Sequence, residues 1–380
     1  MLSRAVQTLR DYIAIPSINP MGREDIDPAV VGERRYAEHV REQLRRLALD
    51  AQVIGDDDRR SVIARAEVRD PIDELLVASH LDTVPVDGME IDPFDPAIAD
   101  DRLFGRGSCD TKAGMASLVA ALERVLERGT LRRNVTIVGE ADEELGSRGV
   151  ADVLTHLGPN RPDWVLATEP TELQVANRHK GIALARIATH GVAAHSSYPS
   201  RGHNALTDLA RVILACESLH RELAERPDPL LGPGTLSVNL AGGGHGPNIV
   251  PDAAWILLDR RLLPGESAED LRQELERALE RSGVVSARVD ECRTEKGPLG
   301  TPDDHASVRA CSAALRTCGH APEPASVAFA TDAGVLATHG IPGVVMGPGS
   351  ILRAHTAAEY VEIDQVDAMT EFFVALLEGA

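Results

Sequence analysis

The sequence predicts an α/β protein, with a mixed, mostly parallel sheet flanked by helices and an inserted ferredoxin-like α+β domain. Three observations predict this fold class. The chain has 380 residues, which is more than one typical core holds. Strand and helix signals alternate over its first part, and the order β-α-β-β-α-β follows later. We therefore expect a first domain made of residues 1–180 and 294–380, with the inserted domain at 181–293.

The first part of the chain alternates amphipathic helices with short apolar strands. The stretch "RRYAEHVREQLRRLAL" places Tyr36, Val40 and Leu44 on one helical face, and "ELLVASHLD" is typical of a buried strand. The stretch "TKAGMASLVAALERVLERG" predicts a second helix, with Gly129 as its C-terminal stop. "NVTIVGE" and "DWVLATE" predict further strands. This alternation indicates parallel pairing, with helices on both faces of the sheet.

The pattern changes from about residue 180 onward. A strand, "GIALARIATHG", precedes a helix, "HNALTDLARVILACESLHREL", and two strands follow, "GTLSVNLAGG" and "AAWILLDRRLL". A helix carrying Leu271, Leu275 and Leu279 and a strand, "VVSARVDEC", complete the ferredoxin-like order. After residue 293, "HASVRACSAALRTCG" and "GIPGVVMGPG" are helical and apolar segments that we expect to return to the first sheet.

The composition excludes several classes of protein. A net charge of −20 argues against nucleic acid or an anionic membrane as the main partner. The five cysteines are an odd number and lack the C-x-x-C spacing of structural zinc sites. The stretch "MLSRAVQTLRDYIAIPS" has no apolar signal region, and no later run has the length of a membrane span. We therefore expect a cytoplasmic protein.

Histidine and acidic side chains follow several of the predicted strands. Loops beyond the carboxyl ends of parallel strands converge and form ligand sites. Two imidazoles and several carboxylates are a ligand set for divalent zinc, cobalt or manganese. The residues concerned are His80 and Asp82 in "SHLD", Asp110 in "GSCDTKAG", Glu143 and Glu144 in "EADEELG", Glu169 in "ATEPTE" and His355 in "ILRAHTAAEY".

The adjacent acids Asp142, Glu143 and Glu144 stand at the end of an apolar strand, where their mutual repulsion is least screened. A pair of dications would neutralise them, with one glutamate ligating metal and the other accepting a proton from water. The alternative is an exposed acidic turn, which is the commoner context for such a run. His80 and Asp82, at i and i+2 of an extended chain, point to one face, which suits a ligating histidine with a carboxylate partner.

Seven blocks of the sequence resemble one family when they are taken together and in order. They are "SHLDTVP", "DPFDPAIADDRLFGRGSCDTKAG", "EADEELGSRG", "ATEPTELQVANRHKG", "GVAAHSSYPSRGHNA", "NIVPDAAWILLDRRLLPGE" and "GPGSILRAHTAAEYVEI". The family is that of the di-zinc aminoacylases, which includes acetylornithine deacetylase, succinyl-diaminopimelate desuccinylase, aminoacylase and glutamate carboxypeptidase. The resemblance implies a di-zinc exopeptidase-like domain whose inserted lid forms a homodimer.

The resemblance also implies a role for each candidate residue. The implied metal ligands are Asp110 as the bridge, His80 and Glu169 at one metal, and Glu144 and His355 at the other. Asp82 would orient His80, and Glu143 would be the general base. Two departures, Met89 in place of a tryptophan and "CDTKAG" in place of a "DMKGG"-like stretch, concern the edge of the pocket and none of the proposed ligands.

Three further residues are implied in the inserted domain. His195 would reach the active site of the partner subunit and stabilise the oxyanion. Asn248 and Arg261 would contact the substrate carboxylate, which a guanidinium can bind through two hydrogen bonds. The alternative for Arg261 is a surface ion pair with Asp259 or Glu266.

Other functions fit the sequence less well. A phosphate site in "GRGSCDTKAG" lacks the glycine of a Walker loop and places Asp110 where a phosphate would be repelled. A serine hydrolase needs a G-x-S-x-G segment, which the sequence does not contain, and Asp110 disfavours a Cys109 thiolate. A metal-binding module without catalytic activity stays open at this point.

The sequence thus predicts a metal-dependent amidohydrolase that removes the N-acyl group from an N-acyl amino acid, similar to acetylornithine deacetylase. It would use two divalent metals, zinc or else cobalt or manganese. The alternative is a succinyl-diaminopimelate desuccinylase or a carboxypeptidase or dipeptidase of the same family. A succinyl pocket would need an extra cation, which Arg178, His179 or Lys180 could supply.

Overall fold

The computed structural model describes residues 2–56 and 59–380, which form two compact units. The first unit contains the described residues up to Arg178, together with Gly300–Ala325 and Thr331–Ala380. The second unit contains His179–Leu299 and Ser326–Ala330. The sequence places the second boundary at residue 293, whereas the last strand of the second unit runs on to Lys296.

Helices and strands alternate along most of the chain. The helices are α1 (Arg4–Ile13), α2 (Arg34–Arg46), α3 (Lys112–Arg128), α4 (Arg148–Leu157), α5 (Ala205–Ala224), α6 (Ala268–Ser282), α7 (Ala306–Thr317), α8 (Asp332–Thr338) and α9 (Ile363–Leu377), with a 3-10 turn at Pro199–Arg201. The strands are β1 (Asp50–Ile54), β2 (Ser61–Ala66), β3 (Glu74–His80), β4 (Ala97–Ala99), β5 (Arg102–Phe104), β6 (Asn134–Glu140), β7 (Trp164–Ala167), β8 (Ala176–His179), β9 (Gly181–His190), β10 (Ala194–His195), β11 (Thr235–Gly243), β12 (Ile249–Val250), β13 (Ala253–Leu262), β14 (Ala287–Lys296), β15 (Leu299–Gly300), β16 (Ala325–Val327), β17 (Gly343–Val345) and β18 (Tyr360–Glu362).

The first unit is built on a mixed sheet with the strand order β1-β2-β6-β3-β7-β17-β8-β15. The central strands β6, β3, β7 and β17 are parallel, and β1 and β2 pair antiparallel at one edge. Leu75 and Val77 of β3 belong to the main hydrophobic core, while Leu76 and Ala78 are buried on the opposite face, because side chains alternate along a strand. The predicted fold class, a mostly parallel sheet covered on both faces, is confirmed.

The predicted helices α2 and α3 form for the reasons that the sequence suggests. Tyr36, Val40 and Leu44 bury the apolar face of α2 in the main core. Helix α3 ends at Gly129, whose φ of 63° is left-handed and therefore favours glycine. Helix α3 packs on α1 and α9. This packing places the start of α3, and the loop before it, at one end of the sheet.

The second unit is a four-stranded antiparallel sheet with the order β11-β13-β9-β14, on which α5 and α6 pack. Its chain order, β9-α5-β11-β13-α6-β14, is the predicted ferredoxin-like order. It has a hydrophobic core of its own, with Ile187, Ile256 and Leu275 at 0% exposure. Over residues 2–56 and 59–380, no helix combines the length and the apolar character needed to cross a membrane.

Candidate metal centre

The candidate site lies at the carboxyl edge of the parallel strands of the first unit. Strand β3 ends at His80, and the parallel strands β6 and β7 end beside it. Glu144 follows β6, Glu169 follows β7, and His355 lies beyond β17, which is parallel to β7. Asp110 lies in the loop before α3. Residues that are far apart in the sequence therefore meet at one edge of the sheet.

Two groups of potential metal ligands share Asp110. One group is His80, Asp110 and Glu169, the other is Asp110, Glu144 and His355, and the ligand atoms within each group lie within 4.8 Å of one another. Asp110 Oδ1 is 2.9 Å from His80 Nε2, and Asp110 Oδ2 is 3.1 Å from His355 Nε2. Glu169 Oε2 is 3.9 Å from His80 Nε2, and Glu144 Oε1 is 3.1 Å from His355 Nε2. Asp110 thus presents one oxygen to each imidazole, as a bridging carboxylate does.

The contact made by Nδ1 of His80 determines whether Nε2 carries a proton or a lone pair. His80 Nδ1 lies 2.9 Å from the backbone carbonyl of Asp82, which can only accept, so Nδ1 carries the proton. In the neutral imidazole, Nε2 then directs a lone pair at the carboxylates of Asp110 and Glu169. Such groups repel one another unless a cation lies among them. A proton or a divalent metal meets that need, and the donor set suits zinc, cobalt or manganese. The residues present therefore fit a pair of divalent metals.

The same contacts shift the pKa values of the candidate ligands. Burial acts to lower the pKa of His80, but the carboxylates of Glu169 and Asp110 raise it well above its usual value. Hydrogen bonds with Asp110 and Glu144 raise the pKa of the half-exposed His355 to about 10. Burial raises the pKa of Glu144 to about 7, against the opposing effect of His355. Protons and metal ions would therefore compete for the same ligand atoms.

The Asp82 carboxylate holds the segment that carries the adjacent glutamates. It accepts hydrogen bonds from the backbone N–H groups of Glu143 and Glu144, each over 3.1 Å. Its distance from His80 Nδ1 is 3.5 Å, longer than the 2.9 Å to the backbone carbonyl of the same residue. The sequence assigns the carboxylate of Asp82 to orienting His80. In the structure the backbone carbonyl makes the shorter contact with His80, and the carboxylate binds the acidic segment.

The acidic run after β6 is not an exposed turn. Asp142 and Glu143 are 1% and 6% exposed. Asp142 accepts a hydrogen bond from Arg148 Nε over 2.7 Å, which supplies positive charge to the run. Within the part of the chain that the structure describes, Glu143 belongs to neither group of potential ligands, whereas Glu144 belongs to one. The two neighbouring glutamates therefore occupy different environments.

Three predicted site residues lie in the second unit. His195 in β10 is exposed, and its Nδ1 accepts a hydrogen bond from the Ser197 backbone N–H over 3.1 Å. Asn248 is exposed in the loop before β12. Arg261 in β13 donates to Asp259 Oδ1 over 2.9 Å, which is one of the ion pairs that the sequence offers as its alternative role. The functional roles of these three residues stay predictions.

Two buried residues that support the ligands lie outside the sequence predictions. Glu359 Oε1 accepts hydrogen bonds from the backbone N–H groups of Cys109 and Asp110, over 3.0 and 3.1 Å, and Arg106 donates to its other oxygen over 2.6 Å. Asn19 contacts Asp82. Glu359 could be suspected from the sequence as an acid close to a candidate ligand in "AHTAAEY". Asn19 in "SINP" carries no comparable signal.

An α/β unit that gathers two histidines and two glutamates around a shared aspartate defines a candidate dinuclear metal site of the hydrolase type. The chain belongs to the peptidase family M20/M25/M40, whose model matches residues 76–379. The resemblance inferred from the sequence blocks is therefore confirmed. The prediction of a hydrolase that acts on amide bonds is confirmed with it.

Individual relatives have different activities. The chain is 32% identical to the acetylornithine deacetylase of Myxococcus xanthus over 301 residues, which cover 77% of this chain and 76% of the relative. Among solved structures it is similar to Sso-CP2, an M20 family metallo-carboxypeptidase of Sulfolobus solfataricus, with a TM-score of 0.78, 21% identity and coverage of 100% and 99% of the two chains. It is also similar to YXEP of Bacillus subtilis, a dinuclear metal binding peptidase, with a TM-score of 0.72, 17% identity and coverage of 99% and 98%. At these identities the two structures support the fold alone.

Proposed function

We propose that this protein is a metal-dependent amidohydrolase that removes the acetyl group from an N-acetylated amino acid such as N-acetylornithine. The reaction class rests on one observation. The two oxygens of Asp110 face the imidazoles of His80 and His355, and a different glutamate completes each ligand group. The substrate is supported by the 32% identity with the acetylornithine deacetylase of Myxococcus xanthus. The products would be a free amino acid and a carboxylate.

Two divalent metals, zinc or else cobalt or manganese, would be held by the two ligand groups, and when bound they would polarise the scissile carbonyl and lower the pKa of water. Glu143 accepts the proton of the attacking water and delivers it to the leaving amine. The hydrogen bond from its backbone N–H to Asp82 fixes the start of its side chain. Because Glu143 lies outside both ligand groups, its carboxylate does not compete with Glu144 for a metal.

The second unit contributes to the proposed reaction through a homodimer. His195, exposed in β10, would serve the active site of the partner subunit and donate to the developing oxyanion. Its Nδ1 accepts from Ser197, so the neutral ring carries its proton on Nε2 and can donate there. Asn248 and Arg261 would bind the substrate carboxylate, and Arg261 keeps donors for it besides the Nε that contacts Asp259.

The cations that a succinyl pocket would need have other partners. Arg178 donates to Asp303 over 3.3 Å, and Lys180 donates to the backbone carbonyl of Pro233 over 2.7 Å. Burial lowers the pKa of His179 to about 4, so its imidazole is neutral near pH 7. This supports an acetyl rather than a succinyl substrate. An exopeptidase acting on short peptides is the second candidate, favoured by the peptidase family to which the chain belongs.

Steady-state kinetics test the proposal. The purified chain is stripped with a chelator, reloaded with Zn²⁺, and assayed on N-acetylornithine, N-succinyl-diaminopimelate and a dipeptide. We expect activity to disappear on chelation and return with metal, with kcat/KM about tenfold or more higher for the acetylated substrate. A preference for the succinylated substrate or the peptide would overturn the substrate assignment. Bound metal without turnover of any of the three would favour a binding module.

A further inference from the structure

Asn19 lies behind the candidate metal centre, in the first unit, and is 0% exposed. Its Nδ2 donates to Asp82 Oδ2 over 2.9 Å and to Asp142 Oδ1 over 3.0 Å. Its Oδ1 accepts from an Arg59 NH2 group and from the Met21 backbone N–H, each over 3.0 Å. A carboxamide has two N–H donors and an oxygen with two lone pairs, so its full hydrogen-bonding capacity is used.

The surroundings of Asn19 explain why an amide stands at this position. Asp82, Asp142 and Glu33 are buried carboxylates with 0%, 1% and 0% exposure. Arg59 donates to Glu33 over 2.6 Å and lies 3.9 Å from Asp142. Asn19 joins Asp82 to Asp142 with neutral donors and adds no charge to this group. An aspartate of the same shape would place a further carboxylate against two others and would lose both donors.

The hydrogen bonds of Asn19 lead to the acidic segment. Asp82 Oδ2, which accepts from Asn19, also accepts from the backbone N–H of Glu144. Asp142, the second acceptor, immediately precedes Glu143 and has a left-handed φ of 65°. Asn19 therefore fixes the segment at two points, on either side of Glu143. Left-handed conformations of non-glycine residues persist where the surrounding contacts determine them.

We propose that Asn19 is a positioning residue that sets the direction of Glu144 into the ligand group with Asp110 and His355. This proposal rests on the proposed function, because it takes that group to be a metal site. It also predicts an asymmetry between the two metal sites. His80 Nδ1 lies 2.9 Å from the backbone carbonyl of Asp82 and 3.5 Å from its Oδ1, whereas Asn19 contacts Oδ2. Loss of Asn19 should therefore weaken the Glu144 site and spare the His80 site.

Zn²⁺ affinity in single-site backgrounds tests this asymmetry in the full-length chain. His80→Ala leaves the Asp110, Glu144 and His355 group, and His355→Ala leaves the His80, Asp110 and Glu169 group. Asn19→Ala and the uncharged Asn19→Ser are placed in each background, and Kd is measured by competition with a fluorescent chelator. We expect Kd to rise about tenfold or more in the His80→Ala background and to change less than about twofold in the other.

A matched control is available at the far end of strand β6. Asn134 is 7% exposed, donates to Glu74 over 2.6 Å and accepts from the Val68 backbone N–H. Asn134→Ala should lower the unfolding temperature and leave both Zn²⁺ affinities unchanged.

The outcomes separate this proposal from the proposed function. An unchanged Kd in the His80→Ala background, or equal losses in both backgrounds, would overturn the positioning role. Asn19→Ser, which keeps a hydroxyl donor and adds no buried charge, supplies that result if Asn19→Ala does not fold. In the wild-type metal background, kcat should fall with KM within about twofold, since the proposed substrate contacts lie elsewhere. A wild-type chain that binds no Zn²⁺ would overturn the proposed function itself and, with it, the role of Asn19.

Discussion

Replacing Glu359 by glutamine removes one charge from a buried ion pair and keeps the shape of the side chain. The side chains of Arg106 and Glu359 are 3% and 0% exposed, so the variant leaves a buried guanidinium without its anion. Breaking a buried pair from one side costs about 3–5 kcal/mol of unfolding free energy. In a unit of this size, each kcal/mol lowers the unfolding temperature by roughly 2–4 °C. We therefore expect Glu359→Gln to lower the unfolding temperature by roughly 6–20 °C.

The assay is thermal unfolding followed by far-UV circular dichroism, in the presence of a chelator. Glu371→Gln is the matched control, because Glu371 pairs with Arg124 on the surface, with side-chain exposures of 56% and 33%. That pair should be worth less than about 1 kcal/mol, and its loss should lower the unfolding temperature by less than about 4 °C. The double variant Arg106→Met with Glu359→Gln should be more stable than Glu359→Gln alone, since no buried guanidinium is then left without its anion.

The reasoning is refuted if Glu359→Gln and Glu371→Gln lower the unfolding temperature equally. It is also refuted if the double variant is less stable than Glu359→Gln alone. Either result would mean that the guanidinium of Arg106 does not depend on the Glu359 charge.

Three further predictions follow from single sites. Glu143→Gln should keep its bound metal, measured by atomic absorption, and lose about 10²–10⁴-fold in kcat, because an amide cannot accept the proton; near-normal kcat would contradict the assignment of the base. His179 is fully buried, with a pKa of about 4 in the folded chain and about 6.5 in the unfolded one. Its contribution to the unfolding free energy is therefore present above pH 6.5 and is lost as the pH falls toward 4, because only the unfolded chain takes up the proton in that range. In urea unfolding, the free energy of unfolding should decrease between pH 6.5 and pH 4 by about 3 kcal/mol less in His179→Gln than in the wild type. An equal pH dependence in both proteins would contradict this prediction. Gly129→Ala should lower the unfolding free energy by about 1 kcal/mol, because φ is 63° at this position. Gly114 of α3 is no control for this effect, because a Cβ at that position would clash with the side chain of Thr168.

The sequence predicts the fold and the ligand groups because both depend on patterns that are local in the chain. Apolar runs such as "ELLVASH" and "NVTIVGE" become β3 and β6, and the parallel pairing of these strands brings their ends together. His80 and Glu144 then meet Asp110 at the same edge. Their meeting at this edge follows the rule that ligands gather beyond the carboxyl ends of parallel strands.

The supporting contacts depend on tertiary structure, and the sequence does not predict them. The hydrogen bond from Asn19 to Asp142 spans 123 positions, and the one from Asp110 to Glu359 spans 249. Arg261 differs from these, since its contact with Asp259, two positions away, is one of the ion pairs that the sequence offers as its alternative role. The last strand of the second unit extends beyond the predicted residue 293, because its pairing with β9 continues as far as Lys296.

The most direct test of the central claim is anomalous diffraction at the zinc edge from crystals of the Zn²⁺-loaded protein. Our account predicts two anomalous peaks on either side of Asp110, one beside His80 and Glu169 and the other beside Glu144 and His355. A single peak away from Asp110, or the absence of any peak near these residues, would contradict it.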